Sequence, residues 1–170
     1  MVSRTLSLAL YAGVLAVLYT LFDAVVTEPY MDEPFHVGQT QAYCAGNWSS
    51  WDGKITTFPG LYACVAASVR LSEQLAPPSG EPVCTLSLLR VANLLPAFVT
   101  PLLLQALIGA LHPKTSDADA FANALVLSLL PTHFFFHFLY YTDSAATTVR
   151  STARAARVDD TRSHKCHHPS

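Results

Sequence analysis

Three long apolar segments set the pattern of the chain. Residues 6–22 form an uninterrupted apolar run, and 86–111 and 121–139 form two more. A helix needs about 20 mainly apolar residues to cross a bilayer. The pattern therefore predicts an all-α polytopic membrane protein, with a first transmembrane helix in 1–27, a second over 86–111, and a third in 121–144 that includes its polar end.

The first apolar run has two interpretations. Arg4 precedes it, which favours a retained anchor with a cytosolic N-terminus. The alternative is a cleaved signal peptide, whose apolar core is normally about 7–15 residues long and is followed by a small-x-small cleavage site. This run is longer and lacks a clean site, so the anchor is favoured.

The segment 28–85 between the first two runs is acidic and poor in lysine, which is typical of a loop on the side opposite the cytosol. Within it, 58–71 is apolar but short, and Leu61, Val65 and Val69 recur at helical spacing. This pattern predicts an amphipathic helix on the membrane surface. We therefore interpret 28–85 as a lumenal loop with interfacial helices.

Counting crossings gives the rest of the topology. The second span ends at a polar cytosolic turn, 112–120, and the third ends in the lumen near Asp143. Asp32, Glu33 and Asp143 would then lie on one face of the membrane. If 58–71 crossed the membrane instead, Asp143 would lie on the other face.

The last segment, 145–170, is basic and contains little that is large and apolar, so it is predicted to be disordered. A lumenal position for its five Lys/Arg opposes the tendency of basic residues to stay in the cytosol. It also carries neighbouring metal-ligating residues, but ligands without a fold around them make a poor site. These residues are His164, Cys166, His167 and His168.

Composition favours a membrane protein and argues against several other classes. Hydrophobic residues make up 51% of the 170 positions and charged residues 13%, well below the roughly 25% typical of soluble domains. The net charge of -2 does not suggest a nucleic-acid partner. Four cysteines are too few for a disulfide scaffold. Cys44, Cys64 and Cys84 could form one bridge or remain buried thiols.

Asp32 and Glu33 are adjacent carboxylates followed by Pro34, which favours the first turn of a helix. A carboxylate at that end could accept a proton from a substrate hydroxyl. From spacing alone, plain helix capping is the commoner role. His36 would suit a metal site with them, but no further ligand set is evident, so no metal is predicted.

Three other features are candidate binding or modification sites. Arg90 lies a few residues inside the second span, where it could bind a lipid phosphate or extend to the interface. Asn47-Trp48-Ser49 is an N-glycosylation sequon, exposed to modification if the loop is lumenal. Asp52, near Lys54 and two threonines, suits sugar hydroxyls, although an ordinary polar turn is the commoner interpretation.

Several motifs together resemble one family. They are Glu28-Pro29-Tyr30-Met31-Asp32-Glu33, Phe35-His36, Gln39-x-Gln41-x-Tyr43-Cys44, Trp51-Asp52, Ile55-Thr56-Thr57-x-Pro59-Gly60-Leu61-Tyr62, Leu89-Arg90-x-x-Asn93-Leu94 and Phe138-Leu139-Tyr140-Tyr141-Thr142-Asp143. Residues 19–144 resemble the dolichyl-phosphate-glucose-dependent alpha-1,2-glucosyltransferases, which add the last glucose to the lipid-linked oligosaccharide used for N-glycosylation.

The resemblance implies the N-terminal part of a glycosyltransferase C superfamily (GT-C) fold in the endoplasmic reticulum membrane. It implies a dolichyl phosphate glucose donor, a dolichol-linked oligosaccharide acceptor and membrane lipids as partners, with no cofactor. Asp32 or Glu33 would be the general base of an inverting transfer. Beyond what the resemblance implies, we predict that His36, Asp52 and Asp143 help to bind substrate and that Arg90 stabilises the leaving phosphate.

The chain departs from this family in two ways. Gly38 stands where proline is expected, which would loosen the helix after His36. The family is also several hundred residues long, so we expect 145–170 to be an out-of-family ending and this chain to be inactive alone. The alternative function is that of a non-catalytic multi-pass protein that regulates a membrane partner.

Overall fold

The computed structural model describes residues 3–75 and 84–167, and the side chains of those residues up to 157. The described residues form helices and no strands. The helices are α1 (Arg4–Val25), α2 (Glu33–Cys44), α3 (Gly60–Leu75), α4 (Leu86–Leu111), α5 (Asp117–Ser128), α6 (Pro131–Phe135) and α7 (Thr142–His167).

Hydroxyl side chains set the starts of three helices. Ser3 accepts a hydrogen bond from the Leu6 N–H at the start of α1, and Thr85 accepts one from Leu88 at the start of α4. Ser116 caps α5 in the same way, at 3.1 Å from the Asp119 N–H. Each cap satisfies a backbone donor that has no partner inside the helix.

Helices α1 and α4 are long and apolar enough to cross a membrane, and among the described residues they alone meet that criterion. Many of their large apolar side chains face outward, including Leu10, Val17 and Leu21 on α1 and Leu95 on α4. Long helices with many exposed apolar side chains are typical of contact with lipid. The fold is therefore consistent with a membrane protein, and the bounds of α4 coincide with the segment predicted for the second span.

The contact between α1 and α4 explains how a proline is accommodated inside α4. Pro101 has no N–H, so the carbonyl of Ala97 four residues earlier lacks its usual helical donor. The Tyr11 hydroxyl donates to that carbonyl oxygen at 3.2 Å. Tyr11 and Leu15 pack there against Leu94 and Ala97, so a neighbouring helix satisfies the freed carbonyl.

The region predicted as a third span differs from a single long helix. Helix α5 ends at Ser128 because Pro131 cannot supply the N–H that would continue it. Pro131 instead starts the five-residue helix α6, and the chain then turns through 136–141. The predicted membrane helix over 121–144 is thus replaced by two short helices and a turn.

The segment predicted to be disordered also differs, since α7 runs from Thr142 to His167 and packs against α4. It contains several alanines and neither glycine nor proline, a composition that favours helix.

A second layer, α2 and α3, forms the core that carries the acidic motif. Val37 and Tyr43 of α2 pack with Tyr62 and Ala66 of α3, and Leu89 of α4 joins them. A disulfide between Cys44 and Cys84 links the end of α2 to a position two residues before the start of α4, while Cys64 is free and exposed. One of the two cysteine interpretations, a single bridge, is therefore the one observed.

Candidate functional site

The acidic motif lies at the start of α2, as Pro34 predicted. Met31 adopts a left-handed backbone conformation, with φ of 56°, which few non-glycine residues adopt. The Glu33 N–H donates to the Tyr30 carbonyl across this turn at 3.1 Å. The turn gives the two adjacent carboxylates very different surroundings.

Glu33 is 0% exposed, and both of its carboxylate oxygens are fully used. Oε1 accepts from Arg90 Nε at 3.0 Å and from the Tyr140 N–H at 2.7 Å. Oε2 accepts from Arg90 Nη2 at 2.7 Å and from the Tyr30 N–H at 2.9 Å. A carboxylate has about four acceptor sites, so these four donors leave neither oxygen free for a substrate.

Arg90 is also fully buried, and its guanidinium makes five hydrogen bonds within the chain. Besides Glu33, it donates to Asp23 Oδ1 at 3.2 Å and to the carbonyls of Val26 and Glu28. A guanidinium has five N–H donors, so none is free for a phosphate. This differs from the predicted contact of Arg90 with lipid or a leaving phosphate. The side chain instead joins α1, the following loop, α2 and α4.

Asp32 has the opposite environment. Its side chain is exposed and makes no capping or other hydrogen bond to the described residues, so the capping interpretation does not apply. Its backbone N–H donates to the Tyr141 hydroxyl at 2.6 Å. The carboxylate is therefore held in place through its backbone while its oxygens stay available.

Asp32 opens into a cleft of about 250 Å³, which we call the Asp32 cleft. Asp143, in the first turn of α7, lines the same cleft, so the N-termini of two helices meet there. Helix N-termini carry partial positive charge, which stabilises carboxylates nearby. The complete lining is Asp32, Phe35, His36, Lys54, Ile55, Thr56, Thr57, Tyr141, Thr142 and Asp143.

His36 forms one wall of the Asp32 cleft. Its Nδ1 lies 2.6 Å from the Tyr62 hydroxyl, which also contacts the Thr57 hydroxyl at 2.9 Å. Burial lowers the pKa of His36 below its ordinary value, and the carboxylates of Asp32, Asp143 and Glu33 only partly oppose this. His36 is therefore a neutral hydrogen-bonding group near pH 7.

Asp52 belongs to a different cleft. Its N–H donates to Gln39 Oε1 at 2.9 Å, and its Oδ1 accepts from the Lys54 N–H at 2.9 Å. It lines a neighbouring opening of about 300 Å³ together with Trp51 and Gln39, and only Phe35 lines both openings. The structure thus brings Asp32, His36 and Asp143 together and leaves Asp52 next to them.

The sequon residue Asn47 lies on an exposed turn after α2, where Ser49 Oγ donates to Asn47 Oδ1 at 3.3 Å. The described residues contain no group of three or more His, Cys, Asp or Glu that could hold a metal ion.

Sequence reasoning missed the residues that support the site. Asn93 donates to the carbonyls of Leu139 and Tyr141, which fixes the segment whose Tyr140 and Tyr141 hold the acidic motif. Asp23, which directly follows the apolar run 6–22, was given no role. A lone acid ending one apolar helix and a lone base inside another were a signal for the ion pair that joins them.

The fold and site define a class: an all-helical chain with two candidate membrane helices and an exposed carboxylate beside a buried ion pair. A sequence profile of the DIE2/ALG10 family matches residues 26–167. The chain belongs to this family. The match runs past residue 144, so it includes most of the segment that we expected to lie outside the family.

Curated relatives agree with that assignment. An Arabidopsis thaliana protein is 47% identical over 131 residues, or 73% of this chain and 26% of its own length. A Rattus norvegicus protein is 37% identical over 134 residues, covering 76% and 28%, and a Yarrowia lipolytica protein is 38% identical over 129 residues, covering 75% and 24%. Each is named Dol-P-Glc:Glc(2)Man(9)GlcNAc(2)-PP-Dol alpha-1,2-glucosyltransferase.

The chain spans about a quarter of the length of these curated relatives. No solved structure gives a significant match to it.

Proposed function

We propose that this chain supplies the acidic site of an alpha-1,2-glucosyltransferase of the endoplasmic reticulum membrane. The enzyme transfers glucose from dolichyl phosphate glucose to the dolichol-linked oligosaccharide, and Asp32 is its general base. The observation that carries the assignment to Asp32 is the contrast between adjacent carboxylates. Glu33 is buried and fully hydrogen-bonded, whereas Asp32 is exposed and opens into a cleft.

The chemistry needs one base and one displacement. The acceptor hydroxyl oxygen bonds to the anomeric carbon of the donor glucose, and its proton passes to an Asp32 carboxylate oxygen. The bond from that carbon to the phosphate oxygen breaks, and dolichyl phosphate leaves with the electron pair. Attack opposite the leaving group inverts a β-linked donor to an α-linked product. A positioned general base contributes about 10²–10⁴-fold to such a step.

The other residues of the Asp32 cleft position the sugar. Thr56 and Thr57 offer hydroxyl groups, neutral His36 offers a ring nitrogen, and the Asp143 carboxylate accepts hydrogen bonds from sugar hydroxyls. Arg90 acts indirectly, because it anchors Glu33 and thereby the start of α2. The role proposed for Arg90 is therefore to position the motif rather than to touch the phosphate.

The proposed topology places the Asp32 cleft on the lumenal face, in the N-terminal part of a GT-C fold with several membrane spans. Asp32 follows the C-terminal end of α1, and the start of α4 lies against that end, because Ser87 Oγ donates to Asp23 Oδ2 at 2.7 Å. If α1 and α4 both cross the membrane, the acidic motif lies at the surface where one span ends and the other begins.

Complementation tests the proposal. Cells that lack the transferase would express this chain, and in parallel a chimera in which residues 26–167 replace the matching segment of the Arabidopsis relative. We expect the chimera to restore the terminal glucose, measured by profiling the lipid-linked oligosaccharides. Asp32→Asn should reduce transfer by at least about 100-fold at an unchanged membrane level.

The matched control is Asp117→Asn, which removes an exposed carboxylate from the first turn of α5 and should leave transfer unchanged. Transfer by the Asp32→Asn chimera within a few-fold of the unsubstituted chimera would overturn the assignment of the base. No observation in the structure or the comparisons favours the non-catalytic alternative.

A further inference from the structure

We infer that the opening beside the Asp32 cleft is an acceptor-glycan subsite, in which Trp51 and Asp52 bind the sugar unit next to the reacting one. We call it the Trp51 cleft, and it is lined by Pro34, Phe35, Gly38, Gln39, Ala42, Ser50, Trp51 and Asp52. This inference rests on the proposed function, because it assigns the ligand of the second cleft from the reaction at the first.

The Trp51 cleft has a rigid frame. Gln39 is only 4% exposed, and both ends of its amide hold the loop that follows. Nε2 donates to the Ser50 carbonyl at 2.7 Å, and Oε1 accepts from the Asp52 N–H at 2.9 Å. The residue between these two bonds is Trp51. Its backbone is therefore fixed from both sides, which reduces the entropy lost when a ligand binds.

The exposed groups suit a hexose. The Trp51 side chain is 43% exposed although its frame is buried, and its ring can cover the apolar C–H face of a pyranose while the N–H stays available. Asp52 Oδ1 accepts from the Lys54 N–H, and Oδ2 has no hydrogen-bond partner in the part of the chain described. A carboxylate oxygen of this kind accepts strong hydrogen bonds from sugar hydroxyls.

Trp48 shows that such exposure is not simply a property of the loop. Trp48 is 44% exposed, but its ring stacks on Tyr43 at 5.0 Å and the Arg70 guanidinium lies 5.5 Å from its centre. Trp51 has only a tilted contact with Tyr62, at 6.2 Å and 49°. Trp48 therefore packs within the protein, whereas Trp51 keeps a face for a ligand.

The position of the Trp51 cleft indicates which sugar it binds. Phe35 separates it from the Asp32 cleft and lines both. Tyr62, which contacts Trp51, also contacts His36 in the wall of the Asp32 cleft. A glycan whose terminal hydroxyl reaches Asp32 would thus place its preceding sugar beside Trp51 and Asp52.

A binding experiment tests the subsite without requiring activity. The chain has two tryptophans, so Trp48→Phe in the full chain in detergent leaves Trp51 as the only indole. We expect free Glc(2)Man(9)GlcNAc(2) oligosaccharide to change its fluorescence in a saturable way. Man(9)GlcNAc(2), which lacks the glucoses, should bind at least about 10-fold more weakly. Asp52→Asn should weaken the response, and Asp32→Asn should leave it in place.

Kinetics of the chimera provide the second readout. Trp51→Ala should raise the acceptor KM about 10-fold or more, leave the donor KM unchanged and change kcat by less than about threefold. Trp51→Phe should recover part of the loss, and Trp48→Phe should match the unsubstituted chimera.

The two proposals fail differently. An unchanged acceptor KM in Trp51→Ala, or a fluorescence response that does not distinguish the two oligosaccharides, overturns the subsite and leaves the base in place. Full transfer by Asp32→Asn with the Trp51 effects intact overturns the base and leaves the subsite. If the chimera is inactive, the fluorescence titration decides the subsite.

Discussion

Arg90 binds Glu33 through two parallel hydrogen bonds, Nε to Oε1 at 3.0 Å and Nη2 to Oε2 at 2.7 Å, with both side chains 0% exposed. Paired geometry of this kind is the strongest form of the arginine–carboxylate interaction. Both oxygens of Glu33 are therefore occupied, although the sequence alone could not say whether Glu33 or Asp32 was the reactive acid. The stability of the site therefore depends on Glu33, and its proposed chemistry depends on Asp32.

Glu33→Gln should destabilise the chain by about 3 kcal/mol or more, because it leaves the buried Arg90 charge without its main partner. Thermal or denaturant unfolding in detergent would measure this. Asp32→Asn is the control and should stay within about 0.5 kcal/mol of the unsubstituted chain, since its side chain is exposed. Equal loss of stability in the two variants would contradict the division of roles.

Loss of the disulfide should also be costly. The Cys44–Cys84 bridge closes a loop with a sequence separation of 40, for which the chain-entropy relation gives about 4 kcal/mol. Cys44→Ser should therefore lower the melting temperature strongly. Cys64→Ser, which removes a free exposed thiol, should leave it nearly unchanged, and a similar loss in both variants would argue against the bridge.

Gly46→Ala should destabilise the end of α2 by about 1–2 kcal/mol. Gly46 has a φ of 91°, and its N–H and that of Asn47 donate to the carbonyls of Tyr43 and Ala42 in a Schellman motif. An added Cβ would also lie 2.6 Å from Arg70 Nη2. Gly38→Ala is the matched control, because nothing lies within 4 Å of its Cβ position and α2 continues through it.

The Gly38→Ala control should be neutral or stabilising by up to about 1 kcal/mol. Destabilisation by Gly38→Ala equal to that of Gly46→Ala, in the same unfolding measurement, would show that the left-handed conformation is not the cause.

Acidification should destabilise the chain through His36. Burial lowers its pKa below the ordinary value of 6.5, so below that pH the unfolded chain binds a proton that the folded chain does not. Stability then rises with pH through this window and is lost as the pH falls below about 6.5. His36→Gln should show a flatter dependence of the unfolding free energy between pH 7 and 5, and an unchanged slope would contradict the assignment.

The Tyr11 hydroxyl should stabilise the fold because Pro101 leaves the Ala97 carbonyl without its helical donor. Tyr11→Phe leaves the Ala97 oxygen without a donor and should cost about 1–3 kcal/mol. In a Pro101→Ala background the helix supplies its own N–H, so the same change should cost less. A double-mutant cycle of unfolding free energies measures the coupling, and a coupling of zero would contradict it.

Local signals in the sequence predicted local structure well. Pro34 indicated the start of α2, and the apolar run over 86–111 gave the bounds of α4. The third segment was misread as one helix, because apolar composition was given more weight than Pro131, which ends the helical ladder. The disulfide stayed undecided because spacing does not say which cysteines approach each other.

The environment of each acid could not be predicted in this way. Glu33 and Arg90 are 57 positions apart, and nothing in their own neighbourhoods specifies that they meet. Adjacent residues such as Asp32 and Glu33 share most local signals, so it is tertiary contacts, with Arg90, Tyr140 and Tyr141, that distinguish them. The clue that the sequence did hold concerned Asp23 and Arg90, an acid and a base near the ends of two apolar helices.

The contacts of Glu33 with Tyr140 and of Asp32 with Tyr141 can form only late in the synthesis of the chain. Glu33 and Asp32 receive their distant donor and acceptor from positions 107 and 109 residues later. At about 5–20 residues per second, the ribosome needs roughly 5–20 s to add those residues. Throughout that interval Glu33 lacks the hydrogen bond from the Tyr140 N–H and the Asp32 N–H lacks its acceptor on Tyr141, so the start of α2 is not yet fixed against the later part of the chain.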